Sequence, residues 1–180
     1  MGDDKLVTVV GHSLVPRNLG VIPGANIRIY RSPGAKAINF EHNNGLNQVL
    51  NYPHDLTILF LGGNDVYDGC IPSHITTNIE SVIEQIHEYC NSDIAFVLLE
   101  HRNPRPGNRF GVSADQYNRV ASNINNRLKR KYRNKPYVKF ISVGAKPFQH
   151  GVTDGVHFDV ETQAHLTQKF RNTISRYINH

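Results

Sequence analysis

Apolar residues fall along the chain in short runs, separated by longer stretches where they recur every three or four positions. Leu6 to Val10 is a short β-rich run stopped by Gly11, and Ala25 to Tyr30 alternates until Ser32-Pro33-Gly34 breaks it. Leu56 to Leu61 is continuous except for Thr57. Ile94 to Leu99 is a second such run and Val138 to Val143 a weaker third, the pattern of strands covered on both faces. These runs predict five strands. Between them, Ile75, Ile79, Val82, Ile83 and Ile86 repeat with helical spacing, while Glu80, Glu84 and Glu88 form a solvated face. Ser113 and Gln116 stand in capping-box spacing ahead of Tyr117, Val120, Ala121, Ile124, Leu128 and Tyr132, which share one side of a second helix. Leu166, Phe170, Ile174, Tyr177 and Ile178 mark a last helix. From Ala37 to Asn51 the pattern is weaker: Leu46, Val49 and Leu50 suggest a short helix, with Gly45 interrupting the segment.

Strands alternating with helices predict an α/β fold with a mainly parallel five-stranded sheet, because each parallel pairing needs a crossover and the helices supply it. The expected architecture is a three-layer α/β/α sandwich in the flavodoxin-like order 2-1-3-4-5, with ligands outside the carboxyl ends of the strands. No repeat, low-complexity tract or linker divides residues 1–180, so a single domain is expected. The longest irregular stretch, Glu100 to Val112, leaves the carboxyl end of a strand and is a candidate wall of the site.

No apolar stretch approaches the roughly 20 residues needed to span a bilayer, which excludes membrane insertion by a helix. The opening residues are acidic and run straight into a strand, the wrong order for a secretory signal, and the two cysteines, Cys70 and Cys90, lie in different elements. An intracellular setting with reduced thiols is therefore expected. The formal charge of +5 is concentrated in Arg127, Lys129, Arg130, Lys131, Arg133 and Lys135. Cations at a helix end complement its dipole, and the same cluster is a candidate nucleic-acid contact.

Ser13, Gly34, Asn64 and the pair Asp154/His157 each follow a predicted strand and would converge on one rim of the sheet. Gly11-His12-Ser13-Leu14, Gly34, Gly62-Gly63-Asn64-Asp65 and Asp154-Gly155-Val156-His157 have the order and spacing of the blocks of the SGNH (GDSL-like) serine hydrolases, which this chain resembles over nearly its whole length. The resemblance implies Ser13 as nucleophile, His157 as base, Asp154 as its orienting carboxylate, and an oxyanion hole from Ser13, Gly34 and Asn64. It implies an esterase working through a covalent acyl-enzyme, with no cofactor and no metal; a chain this short has little material for a deep lipid tunnel, so small acyl or acetyl esters are expected. More narrowly, Pro33-Gly34-Ala35 and the Gly-Gly-Asn-Asp block look like the esterase-like domains carried by some animal retrotransposons. Arg102, Arg105 and Arg109 could then face an anionic substrate or nucleic acid, or simply be solvated loop residues.

The chemistry fits those roles. A serine hydroxyl needs a base within hydrogen-bond reach, and histidine titrates near neutrality. A carboxylate three residues before that histidine can hold its other ring nitrogen. An asparagine amide and bare backbone amides can meet the tetrahedral oxyanion. Each residue also has a structural reading: Ser13 as a helix N-cap, Asn64-Asp65 as a turn, Gly34 in a type II turn, Asp154 as a cap and His157 as a buried histidine. One departure from the family is His12, where an aspartate is usual; it is read as a turn residue outside the catalytic set. Two rivals remain open: a metal-dependent phosphoesterase with His12, Asp65, Asp154 and His157 as ligands, and a non-catalytic nucleic-acid-binding module on the same fold.

Overall fold

The computed structural model describes residues 3–41, 45–102, 111–144 and 158–180. Strands β1 (Lys5–Gly11), β2 (Ala25–Arg31), β3 (Leu56–Phe60), β4 (Asp93–Val97) and β5 (Val138–Ile141) form one sheet in the order β2-β1-β3-β4-β5. All its pairings are parallel. The crossovers carry α1 (Gly45–Leu50), α2 (Gly63–Tyr67), α3 (Pro72–Cys90) and α4 (Ala114–Lys131), and α5 (Val160–Ile178) follows the last strand.

Side chains alternate across a strand, so each strand feeds two cores. Val10, Leu59, Ile94 and Phe96 point to one face and pack with Leu46 and Val49 of α1, Ile79, Val82 and Ile86 of α3, and Ala121, Ile124 and Leu128 of α4. Val7, Val9, Ile58, Phe60, Ala95 and Val97 point to the other and meet Leu166, Phe170 and Ile174 of α5. This two-sided burial is why β3 and β4 read as unbroken apolar runs. Thr57, the polar exception in β3, is fully buried and shares a hydrogen bond with the Ser92 hydroxyl at 3.1 Å.

Helix ends follow the local chemistry. The Ser113 hydroxyl accepts from the Gln116 amide at 3.1 Å, and the Asp159 carboxylate accepts from Thr162 at 2.7 Å, each satisfying an orphan amide of a first turn. Pro72 opens α3, where its missing N–H costs nothing.

Gly45 opens the short helix α1 expected from Leu46, Val49 and Leu50, and the Phe40 ring packs where its side chain would be; a Cβ there would lie 2.6 Å from that ring. One local expectation changes. Asn64 and Asp65 form the first turn of α2 instead of a simple turn. Glycine, asparagine and aspartate are weak helix formers, so this five-residue helix is held by tertiary contacts and carries no periodic signal.

Candidate active site

The sheet register sets the rim. Gly11 ends β1 opposite Arg31 of β2 and Phe60 of β3, so Ser13, Gly34 and Asn64 lie two, three and four residues beyond one level of three adjacent strands. Gly11 is required there: a Cβ would fall 2.1 Å from the Phe60 carbonyl oxygen.

Beyond Gly11 the chain turns, with the Val15 amide donating to the His12 carbonyl at 3.1 Å. His12 is fully buried against the Phe60 ring, at 4.5 Å between centroids. Its Nδ1 accepts the Leu14 amide at 3.3 Å, a bond to the second residue on that a carboxylate would also accept. Accepting at Nδ1 requires a neutral ring with its proton on Nε2. His12 is thus a turn residue, as read from the sequence, bracing the backbone through the Leu14 amide. Ser13 is half-buried, and the Arg31 guanidinium donates to its carbonyl oxygen.

After β2, the Ala35 amide donates to the Ser32 carbonyl at 2.9 Å with Pro33 and Gly34 between them, and Gly34 has φ +77. This is the arrangement of a type II turn, whose third position strongly favours glycine. Gly34 is exposed, and nothing lies within 4 Å of where its Cβ would be. A turn and a bare amide beside open space are therefore the same feature.

The third block straps onto the second. The Asn64 Nδ2 donates to the Ala35 carbonyl at 3.1 Å, which takes one of the amide's two N–H groups. The Asp65 carboxylate is fully buried and accepts from the Ala37 and Ile38 amides at 2.8 and 3.0 Å, and Lys36 pairs with Asp68. Burial pushes the Asp65 carboxyl above its ordinary range, against the pull of those amides. Asp65→Asn is accordingly expected to destabilise the fold by about 1–3 kcal/mol in denaturant titration, because its NH₂ would confront an amide donor. It should also lower turnover by loosening residues 35–38.

Arg102 corrects an expectation. It is 1% exposed, neither a solvated loop arginine nor an open anion contact. Its Nε donates to Glu100 Oε1 at 2.6 Å, with both side chains fully buried, and its Nη1 reaches Asn64 Oδ1 at 3.4 Å. The guanidinium lies 5.4 Å from the Tyr117 ring centroid. Burial is the largest single influence on the Arg102 pKa and lowers it, but Glu100, Tyr117 and Tyr67 together outweigh it and the net shift is upward. Two asparagines of α4 hold the backbone here: Asn118 bonds the Arg102 N–H and C=O at 2.8 and 3.0 Å, and Asn125 does the same for Leu99 at 2.9 Å each. None of this network was anticipated from the sequence; the signals were Glu100 and Arg102 two apart on an extended segment and two asparagines seven apart on one helix. Arg105, Arg109, Asp154 and His157 lie outside the described residues.

Past the ends of β4 and β5, a cavity of about 300 Å³ is lined by Leu98, Leu99, His101, Lys129 and Val143. Among the described residues no three histidine, cysteine, aspartate or glutamate side chains gather as metal ligands. Of the phosphoesterase ligand set, His12 Nδ1 and both Asp65 oxygens are engaged by backbone amides.

A sequence model of GDSL-like lipases and acylhydrolases matches residues 4–170. The chain belongs to the GDSL-like lipase/acylhydrolase family. It is thus a carboxylic-ester hydrolase of the SGNH type, with the α/β/α fold of that family. Solved structures share this fold at low identity. A carbohydrate acetylesterase from Sinorhizobium meliloti is 16% identical, with TM-score 0.73 over 97% of this chain and 100% of that one. An acetylxylan esterase from Geobacillus stearothermophilus is 14% identical, with TM-score 0.68 over 96% and 95%. A GDSL-like lipase from Bacteroides thetaiotaomicron is 15% identical, with TM-score 0.70 over 96% and 89%. A comparison with curated protein sequences gave no match. Among the described residues no helix is long and apolar enough to cross a membrane.

Proposed function

We propose that residues 1–180 act as one domain that hydrolyses small acyl or acetyl esters, with Ser13 as nucleophile, His157 as base and Asp154 orienting it. Ser13 Oγ attacks the ester carbonyl and passes its proton to His157. The oxyanion is met by the Asn64 amide and the backbone amides of Gly34 and Ser13, the alcohol leaves with the proton from His157, and water then releases the acid by the same steps. The observation that carries this reading is the common rim: three adjacent strands end level, and the Ser13, Gly34 and Asn64 segments are tied together there by hydrogen bonds. Two neighbours of the same fold are acetylesterases by name, which supports a small acyl group.

A fluorophosphonate probe tests the reading without knowledge of the substrate. One adduct is expected, on Ser13, forming at a rate that rises with pH through a single ionisation near neutrality because His157 must be unprotonated to accept the proton. His157→Ala should abolish labelling, and Asp154→Asn should slow it severely. A folded protein that does not label, or labels elsewhere, overturns the nucleophile assignment.

Two finer readings belong here. Cys70 and Cys90 are free thiols, which supports an intracellular setting. Arg127, Lys129, Arg130 and Lys131 are exposed along the end of α4 and Arg133 in the turn after it, which supports a weak nucleic-acid contact, although Lys131 also pairs with Glu80 at 2.7 Å. Glutamine at Lys129, Arg130 and Lys131 is expected to leave ester turnover unchanged and to remove salt-sensitive binding of an oligonucleotide, measured by fluorescence anisotropy. Equal binding by both proteins would dismiss the contact.

A further inference from the structure

We infer that Arg102 is a positioning residue for the oxyanion hole, acting through the Asn64 side chain. This rests on the oxyanion role proposed for Asn64.

An amide group is nearly symmetric in shape, and only its neighbours decide which end is oxygen. Here both ends are assigned. On one side the Asn64 Nδ2 donates to the Ala35 carbonyl at 3.1 Å; on the other, its Oδ1 faces the Arg102 Nη1 at 3.4 Å. A cation at the oxygen end forbids the flipped amide, which would turn N–H groups toward a guanidinium. It leaves the second N–H of Nδ2 for the reacting centre. The same cation draws electron density toward Oδ1 and so makes the remaining N–H a stronger donor.

The site is built to hold that charge. Glu100 takes the Nε at 2.6 Å, both side chains are fully buried, and the Arg102 backbone is bonded through both its N–H and C=O by Asn118. Room for the guanidinium comes from Gly63, where a Cβ would fall 2.5 Å from Nη2. A lysine cannot reproduce this fork, because one ammonium cannot meet Glu100 and Asn64 in the same plane.

Removing the arginine outright would leave Glu100 buried without its partner, so the test uses Arg102→Lys and the charge-free pair Arg102→Met/Glu100→Gln. Each is made in the wild-type and Asn64→Ala backgrounds, with short-chain ester kinetics and thermal melting for all. With Asn64 present, Arg102→Lys is expected to lower kcat about tenfold with KM little changed, and the Met/Gln pair at least as much. In the Asn64→Ala background the same changes should cost less than about twofold, because the residue through which Arg102 acts is gone. Equal losses in both backgrounds would mean a general structural role and overturn the inference. So would full turnover in a folded Arg102 variant while Asn64→Ala shows its own loss. If Asn64→Ala itself has no effect, the oxyanion role falls first and this inference with it.

Discussion

Ser13→Ala is expected to lower turnover of a short-chain aryl ester by on the order of 10⁴ or more while leaving the melting temperature unchanged. The two parts of this expectation rest on different atoms. The proposed chemistry needs the Oγ, which Ser13 carries two residues beyond the end of β1. Two bonds that brace the turn use groups alanine would keep: the Leu14 amide bonds His12, and Arg31 bonds the Ser13 carbonyl. The residual rate should be that of oxyanion stabilisation and substrate positioning alone. A variant with half the wild-type turnover would remove Ser13 from the mechanism, whereas one that fails to fold would show that its hydroxyl braces the turn.

The second large effect is expected for Asn64→Ala, on the order of 10² to 10³ in kcat with a smaller change in KM, since a donor that strengthens only as charge develops contributes to the transition state. Stability should fall by about 1 kcal/mol, for the bond to Ala35 that disappears. Asn64→Asp sharpens the experiment. Its carboxylate would sit beside Arg102 and retain the fold, yet it offers no donor and places negative charge where negative charge must form. It should therefore be at least as inactive as the alanine variant, and less stable than wild type because a carboxylate oxygen would face the Ala35 carbonyl. Near-normal turnover in either would leave the hole to the backbone amides of Gly34 and Ser13.

The fold was legible because its signals are local. Strands covered on both faces must be apolar throughout, so β3 and β4 announced themselves, and their parallel pairing followed from the helices between them. Ser113 and Gln116 gave the start of α4 because a capping box is written within four residues. The rim was legible too, since Ser13, Gly34 and Asn64 each follow a strand and parallel strands end on one side. What stayed hidden depends on distant partners. Glycine, asparagine and aspartate at α2 spell a turn until the amides of Ala37 and Ile38 are known to meet Asp65. Arg102 was grouped with Arg105 and Arg109 because all three belong to one Pro- and Gly-rich stretch, and the Tyr117 and Asn118 that enclose it along with Glu100 come from α4, a separate element. Asp154 and His157 were assigned from their motif, and they lie outside the described residues.

The paired asparagines of α4 turn that helix into a ruler for the chain leaving β4. From Leu99 to Arg102 the chain contains no turn or bend, and three residues can reach at most about 10 Å. From Asn125 back to Asn118 is seven residues, a rise of about 10.5 Å and almost a whole number of turns. Two repeats of different physical origin thus coincide over this one interval, and the coincidence locks strand exit to helix register. One residue inserted between Asn118 and Asn125 would swing one of them about 100° around the axis and release its end of the segment. The spacing in α4 therefore constrains how this part of the molecule can diverge: substitutions on its outer face leave the lock alone, whereas any change of length between the two asparagines must be answered by a change of length after β4.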